Sequence, residues 1–239
     1  MRIEQLPVSL VIPTYNRVQK LFRLLKSLDK LNPIPDEIII VDDHSTDGTD
    51  TLLTKWQRII QPFSKKILIK SVNKGPADSR NLGIHLSGNI LVAFTDDDVV
   101  VMRDWIKQIS SRLLNGEKML AGIGGSVLAL NTHLLGRYYT EHKILEAPRN
   151  LNYLPTVNCC FKKKALKEVN GFNPSFRFAG GEDTELCLRL RNKGYYFSRE
   201  KRAIIYHDFS PNFVDFCKMW IRYGKGTQLA INNVKGYDH

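Results

Sequence analysis

Three adjacent carboxylates, Asp96-Asp97-Asp98, follow the apolar run Ile90–Phe94 and Thr95. At the end of a buried strand such groups repel one another, and holding all three ionised is costly without a cation. Their hard oxygens suit Mg²⁺ or Mn²⁺, which typically bridge protein carboxylates to substrate phosphates. A metal there would neutralise charge on a departing diphosphate. The plainer alternative is a solvated acidic loop capping the next helix. Two more polar loops follow apolar runs: Pro13-Thr14-Tyr15-Asn16, and Asp42-Asp43-His44-Ser45-Thr46-Asp47-Gly48. The second offers a carboxylate to a base N–H or a ribose hydroxyl, or simply turns and a helix cap. In the segment Asn73–Asn81, Lys74 and Arg80 flank a helix start and can cradle an anion. No Gly-Lys-Ser/Thr loop is present, and Gly122-Ile123-Gly124-Gly125 lacks the spacing of a dinucleotide fingerprint. Gly180-Gly181-Glu182-Asp183 sets two acids at a helix start, either as caps or as a carboxylate carried to a site by a mobile glycine loop. His207 closes the apolar run Ala203–Tyr206, as a structural residue or a metal ligand.

The elements that must position these groups alternate in period. Val8–Ile12, Glu37–Val41, Lys66–Lys70 and Ile90–Phe94 read as strands. Arg17–Lys30, Thr49–Ile60 and Ala77–Leu86 read as the helices between them. Such alternation implies right-handed crossovers and a mostly parallel, doubly wound α/β sheet with helices on both faces. Ligands of such sheets lie outside the carboxyl ends of the strands, so the polar loops should converge on one crevice. The second half gives strands at Met119–Leu130 and Leu151–Phe161, and helices at Lys163–Val169 and Glu182–Asn192. Two short strands, Tyr195–Ser198 and Ala203–Tyr206, are expected to form a hairpin around Arg199–Arg202, followed by a helix over Pro211–Ala230.

The chain has 239 residues, and its 35 basic against 24 acidic side chains give a formal charge of +11. That charge attracts polyanions, anionic membranes and diphosphates without choosing among them. The four cysteines include no C-x-x-C pair, which points to reduced thiols rather than a zinc site or disulfide framework. The apolar stretch Leu6–Ile12 is too short for a signal peptide, and no run reaches the roughly 20 residues of a membrane span. A cytoplasmic protein is expected, at most peripheral on the inner face of the membrane. In the tail Phe213, Phe216, Cys217, Trp220 and Tyr223 recur at helical spacing beside Lys218, Arg222 and Lys225. That face suits an anionic membrane surface, or else the protein's own core.

Taken together and in order, the segments resemble the family 2 inverting glycosyltransferases. They are Val11–Arg17, Val41–Thr49, Asn81-Leu82-Gly83, Phe94–Val99, Asn170-Gly171-Phe172 and Gly181–Leu190. The resemblance implies the GT-A fold as a single domain over 1–239. It would comprise a nucleotide-sugar donor half (about 1–118), an acceptor and catalytic half (about 119–210) and a helical tail (about 211–239). It implies a nucleoside pocket lined by Pro13, Thr14 and Tyr15, with Asp43 on the base and Lys74, Arg80, Asp96 and Asp97 on the donor. Asp98, Asp96 and His207 would hold Mn²⁺ or Mg²⁺, the choice between Asp97 and Asp98 being open. Asp183 would be the general base, supported by Glu182. Partners would be a nucleotide-sugar, uridine-linked by resemblance, and a carbohydrate or lipid-linked acceptor, in the synthesis of cell-surface polysaccharide or glycolipid; nucleic acid is not expected. The processive members' Gln-x-x-Arg-Trp motif is replaced by Lys218-Met219-Trp220-Ile221-Arg222, so transfer of one sugar per encounter is expected. The alternatives are a nucleotidyltransferase that makes a nucleotide-sugar and a basic, non-enzymatic polyanion-binding or membrane-binding module.

Overall fold

A computed structural model describes residues 4–234. Eight strands form one sheet in the order β3-β2-β1-β4-β7-β6-β8-β5. The strands are β1 (Gln5–Thr14), β2 (Ile34–Asp42), β3 (Ser64–Ile69), β4 (Leu91–Thr95), β5 (Val99–Val101), β6 (Leu120–Ala129), β7 (Asn158–Lys162) and β8 (Tyr196–His207). β1, β2, β3 and β4 pair in parallel, as the strand–helix alternation requires. β7 runs antiparallel between β4 and β6, and β5 antiparallel along β8, so the remaining six strands share one direction.

The apolar strand runs are buried on both faces, and their residues alternate between two cores. Leu10, Ile12, Ile38, Ile40 and Ala93 pack with α1 (Val18–Leu28), α2 (Thr49–Arg58) and α4 (Trp105–Leu114). Val11, Ile39, Val41, Val92 and Phe94 pack with α3 (Pro76–Leu86), α6 (Lys163–Glu168) and α7 (Glu182–Asn192). Gly83 of α3 faces Val11 so closely that a Cβ would collide with it, which sets how near this helix lies to the sheet. Two short stretches differ from the expected pattern. Leu151–Phe161 is strand only from Asn158, and the preceding residues form an irregular wall after α5 (Leu134–Glu141). Tyr196–His207 is one strand rather than a hairpin, because both of its ends pair with β6 in the same direction. The register shift between the Gly124–Arg199 and Ser126–Ile204 pairs marks a bulge where the hairpin turn was expected.

The last helix, α8 (Phe213–Asn233), lies against α7 and α5. Of the tail expected over 211–239, residues 235–239 lie outside the described residues, as do residues 1–3. No helix among the described residues is long and apolar enough to cross a membrane.

Candidate active site

β1, β2, β4 and β8 end at the same edge of the sheet, where β7 and β5 begin. The polar loops therefore meet, as expected from the strand order. Asn16 and His44 adopt left-handed backbone at φ 51° and 71°, turning the first two loops toward each other. The Asn16 amide donates to Ser45 Oγ at 2.8 Å, and Asn16 Oδ1 accepts from the Thr46 amide at 2.7 Å. Asp47 accepts from the Val18 amide at 2.8 Å and from Thr49 Oγ1 at 2.6 Å, so one carboxylate caps the starts of both α1 and α2.

The triple aspartate fans in three directions. Asp97 turns inward and is 3 % exposed, accepting from Thr14 Oγ1 at 2.8 Å and from Arg17 Nη1 at 3.0 Å. Burial and the neighbouring Asp98 charge push its carboxyl up to about 6 against the pull of Arg17. Asp98 accepts from Arg17 Nη1 at 2.8 Å, and its other oxygen lies 3.2 Å from His207 Nε2 without an aligned donor. Burial opposes its ionisation, yet His207, Arg17 and Lys20 together hold its carboxyl well below the usual range. Asp96 leans into the cleft and accepts from Arg80 Nη2 at 2.8 Å. Charge repulsion in the cluster is thus relieved by protein cations, chiefly Arg17, whose part the spacing alone did not reveal.

Among the described residues, no three His, Cys, Asp or Glu side chains gather into a ready metal-ligand set. What is present is a fragment: Asp98 Oδ1, buried and lacking an aligned donor, with His207 Nε2 beside it and Asp96 two residues earlier in the chain. Mg²⁺ and Mn²⁺ sites commonly take one or two protein carboxylates and complete their shell with substrate phosphate and water, and this fragment fits that pattern. Asp97 is engaged elsewhere by Thr14 and Arg17.

Several expected donor contacts are already occupied. Asp43 accepts from Lys70 Nζ at 2.5 Å, from the Lys74 amide at 3.0 Å and from the Gly75 amide at 2.7 Å. Its carboxylate ties down the loop before α3, while the Lys74 side chain is left exposed. Pro13 is buried in β1 and Thr14 is only 3 % exposed, whereas Tyr15 stands open at 47 %. Arg80, buried over the Phe172 ring, binds Asp96 through one Nη and Glu182 Oε1 at 3.0 Å through the other. It bridges the loop after β4 and the start of α7 rather than forming an open anion cradle.

Glu182 Oε2 accepts from the Gly180 amide at 2.6 Å, so both its oxygens are engaged within the protein. Asp183 has one oxygen on the Thr184 amide at 2.8 Å and lies in the wall of a cleft of about 710 Å³, which Asp96 and His207 also line. Burial first, and then the Glu182 charge, push the Asp183 carboxyl up to about 7. The glycines before it have a packing reason besides any hinge role. Gly180 and Gly181 hold φ of 130° and 91°, and a Cβ at Gly181 would collide with the Gly226 backbone of α8. On α8 itself, Tyr223 faces Gly180 and Phe216 packs on Tyr138 and Tyr139, while Phe213 remains 66 % exposed. The aromatic face thus turns partly into the protein. Asn81, matched in sequence but given no role, donates to the Phe172 carbonyl and accepts from its amide, both at 2.8 Å, holding the Asn170-Gly171-Phe172 turn.

Residues 9–169 match the model of Glycosyl transferase family 2, and residues 148–209 match the N-terminal domain of galactosyltransferase. The chain is 27 % identical over 236 residues to the pre-mycofactocin glycosyltransferase of Mycobacterium tuberculosis; the match covers 95 % of this chain and 48 % of that protein. It therefore spans about half the length of that relative. Among solved structures, the mannosyltransferase PcManGT from Pyrobaculum calidifontis, in complex with GDP-Man and Mn²⁺, superposes with a TM-score of 0.75 at 17 % identity, over 96 % of this chain and 65 % of that one. S. aureus TarS 1-349 in complex with UDP gives 0.64 at 20 % identity, over 95 % and 66 %. The match over most of the sheet and its strand-end loops settles the identification: the chain belongs to glycosyl transferase family 2 and has the GT-A fold.

Proposed function

We propose that the chain is a metal-dependent inverting glycosyltransferase that moves one sugar from a nucleotide-diphosphate sugar to a hydroxyl of a carbohydrate or lipid-linked acceptor. The observation that carries the mechanism is Asp183, a carboxyl raised to about 7 in the wall of the cleft shared by Asp96 and His207. Inversion by one displacement needs a base for the acceptor hydroxyl on the side away from the leaving diphosphate. Asp183 fits that task because, among the described residues, it pairs with no cation of its own: Arg80 directs both Nη groups to Asp96 and Glu182. Glu182 serves as a positioning residue, clamped between Arg80 and the Gly180 amide.

On this reading Asp98 and His207, with Asp96, hold Mn²⁺ or Mg²⁺, which stabilises charge on the diphosphate when bound. Residues about 1–118 carry the donor and about 119–210 the acceptor, with α8 closing the cleft. Tyr15, exposed in the first of these loops, would stack on the nucleoside. The complexes of relatives with GDP-Man and with UDP support a nucleotide-sugar donor, and uridine diphosphate sugars are the first to test. The family match favours transfer over nucleotide-sugar synthesis and over a purely basic binding module.

Asp183→Asn keeps shape and helix capping. Donor affinity should survive while transfer falls by roughly 10²–10⁴-fold, the usual range for losing a general base. Near-normal transfer by the variant, or a product that retains the donor's anomeric configuration, would overturn the assignment.

A further inference from the structure

Among the described residues, one partly buried cation of the cleft has no carboxylate partner. Arg199 of β8 lines the cleft, and its Nε is buried without a hydrogen-bond partner. Arg23 and Arg80 also have a buried, unbonded Nε, but each pairs through Nη with carboxylates. Arg199 makes no ion pair and no side-chain hydrogen bond among the described residues. Neither of two candidate acids pairs with it: Glu200 binds Arg202 at 3.1 Å, and Glu146 accepts from the Val127 amide through Oε1 at 3.3 Å. A partly buried guanidinium left without a carboxylate is costly, and its planar fork matches phosphate or carboxylate oxygens. Exposed Arg149 and Lys143 on the same cleft add positive potential that draws an anion inward.

Arg199 stands away from the diphosphate end. His207 pairs with Ala129, and Arg199 with Gly124, five residues back along β6. At about 3.3 Å per residue that separation is roughly 16 Å, well beyond the reach of one side chain. The arginine belongs to the acceptor side.

We propose that the acceptor carries an anionic group, a phosphate or a carboxylate, and that Arg199 binds it. The proposal rests on the glycosyltransferase reading and names the acceptor class for that site. Wild-type protein saturated with UDP and Mn²⁺ is titrated calorimetrically with phenyl phosphate, phenyl glucuronide and the neutral phenyl glucoside. At least one anionic probe should bind about 10-fold or more tighter than the glucoside, and which one does so separates a phosphate-bearing carrier from an acidic glycan. Arg199→Met should erase that preference while leaving UDP affinity unchanged. Arg199→Lys should keep part of it, which guards against a folding defect in the first variant, and Arg149→Met should keep most of it. Equal binding of the three probes, or a preference that survives Arg199→Met, overturns the proposal. So does a loss of UDP affinity in well-folded Arg199→Met, since that would move the residue to the donor end. Failure of UDP to bind wild-type protein would instead count against the donor reading itself, while the probe titrations without UDP still report on Arg199.

Discussion

Asp183 and Arg17 show how unevenly single residues declare themselves. Asp183 was legible because two glycines and two acids at a helix start are an unusual local pattern. Its raised carboxyl has a cause that sequence could only half supply: Glu182 is adjacent, but the larger effect is burial in the cleft wall. Activity that needs the ionised form should rise with pH through about 7 and fall away below it. The stability effect has the opposite sign. A carboxyl raised in the folded state favours folding at low pH, and that contribution is lost as pH rises through about 7. Asp183→Asn should therefore melt higher than wild type at pH 8, and by a clearly smaller margin at pH 5. Thermal melts at the two pH values check this, and an identical offset at both would contradict it. Arg17, by contrast, follows a motif in which it had no assigned chemistry. Its contact with Asp97 and Asp98 depends on the left-handed turn at Asn16, which spacing does not reveal. Arg17→Ala should lower the melting temperature in chelator and recover much of the loss in Mn²⁺, because the metal then takes over neutralising the two acids. A loss that Mn²⁺ does not touch would separate Arg17 from the metal.

Elements were read well where apolar period and length agreed. The first four parallel strands and the helices between them follow from short continuous apolar runs and from period-3.6 stripes. α4 was passed over, although Trp105, Ile106, Ile109 and Leu113 carry a helical stripe that would have found it. The bulged β8 was read as a hairpin because a polar interruption between two apolar runs looks alike in both cases. α8 was recognised as a helix, but not its seat. Its Gly226 meets the Gly180-Gly181 backbone directly, which fixes the start of α7 and hence Asp183. Gly226→Val should push α8 off that contact. Hydrogen exchange should rise in α8 and the start of α7 while β1–β4 stay protected, and transfer should drop with donor binding retained. Unchanged exchange in α8 would show that the contact does not hold the helix.

At the scale of the whole molecule, a buried cation ties the loop after β4 to the start of α7 over one sheet. Arg80 sits between Asp96 after β4 and Glu182 on α7, both within 3.0 Å. Removing one partner of a buried pair typically costs about 3–5 kcal/mol, because the other charge is left stranded. Arg80→Ala should destabilise the fold on that scale, and adding Glu182→Gln should recover part of the loss; denaturant melts of the single and double variants measure it. The sequence could place Arg80 and Glu182 in recognisable segments, but not opposite each other, since that needs the antiparallel β7 and the return of β6 and β8, which no local pattern announces. The proposed function has this strand-end site turn over a nucleotide-sugar with a divalent cation. Its most direct test is release of nucleoside diphosphate from a panel of UDP-, GDP- and dTDP-sugars, with Mn²⁺ and with excess chelator. Release is expected from at least one donor with Mn²⁺, abolished by chelator and by Asp98→Ala; release undiminished in chelator, or no release from any donor, would contradict metal-dependent transfer.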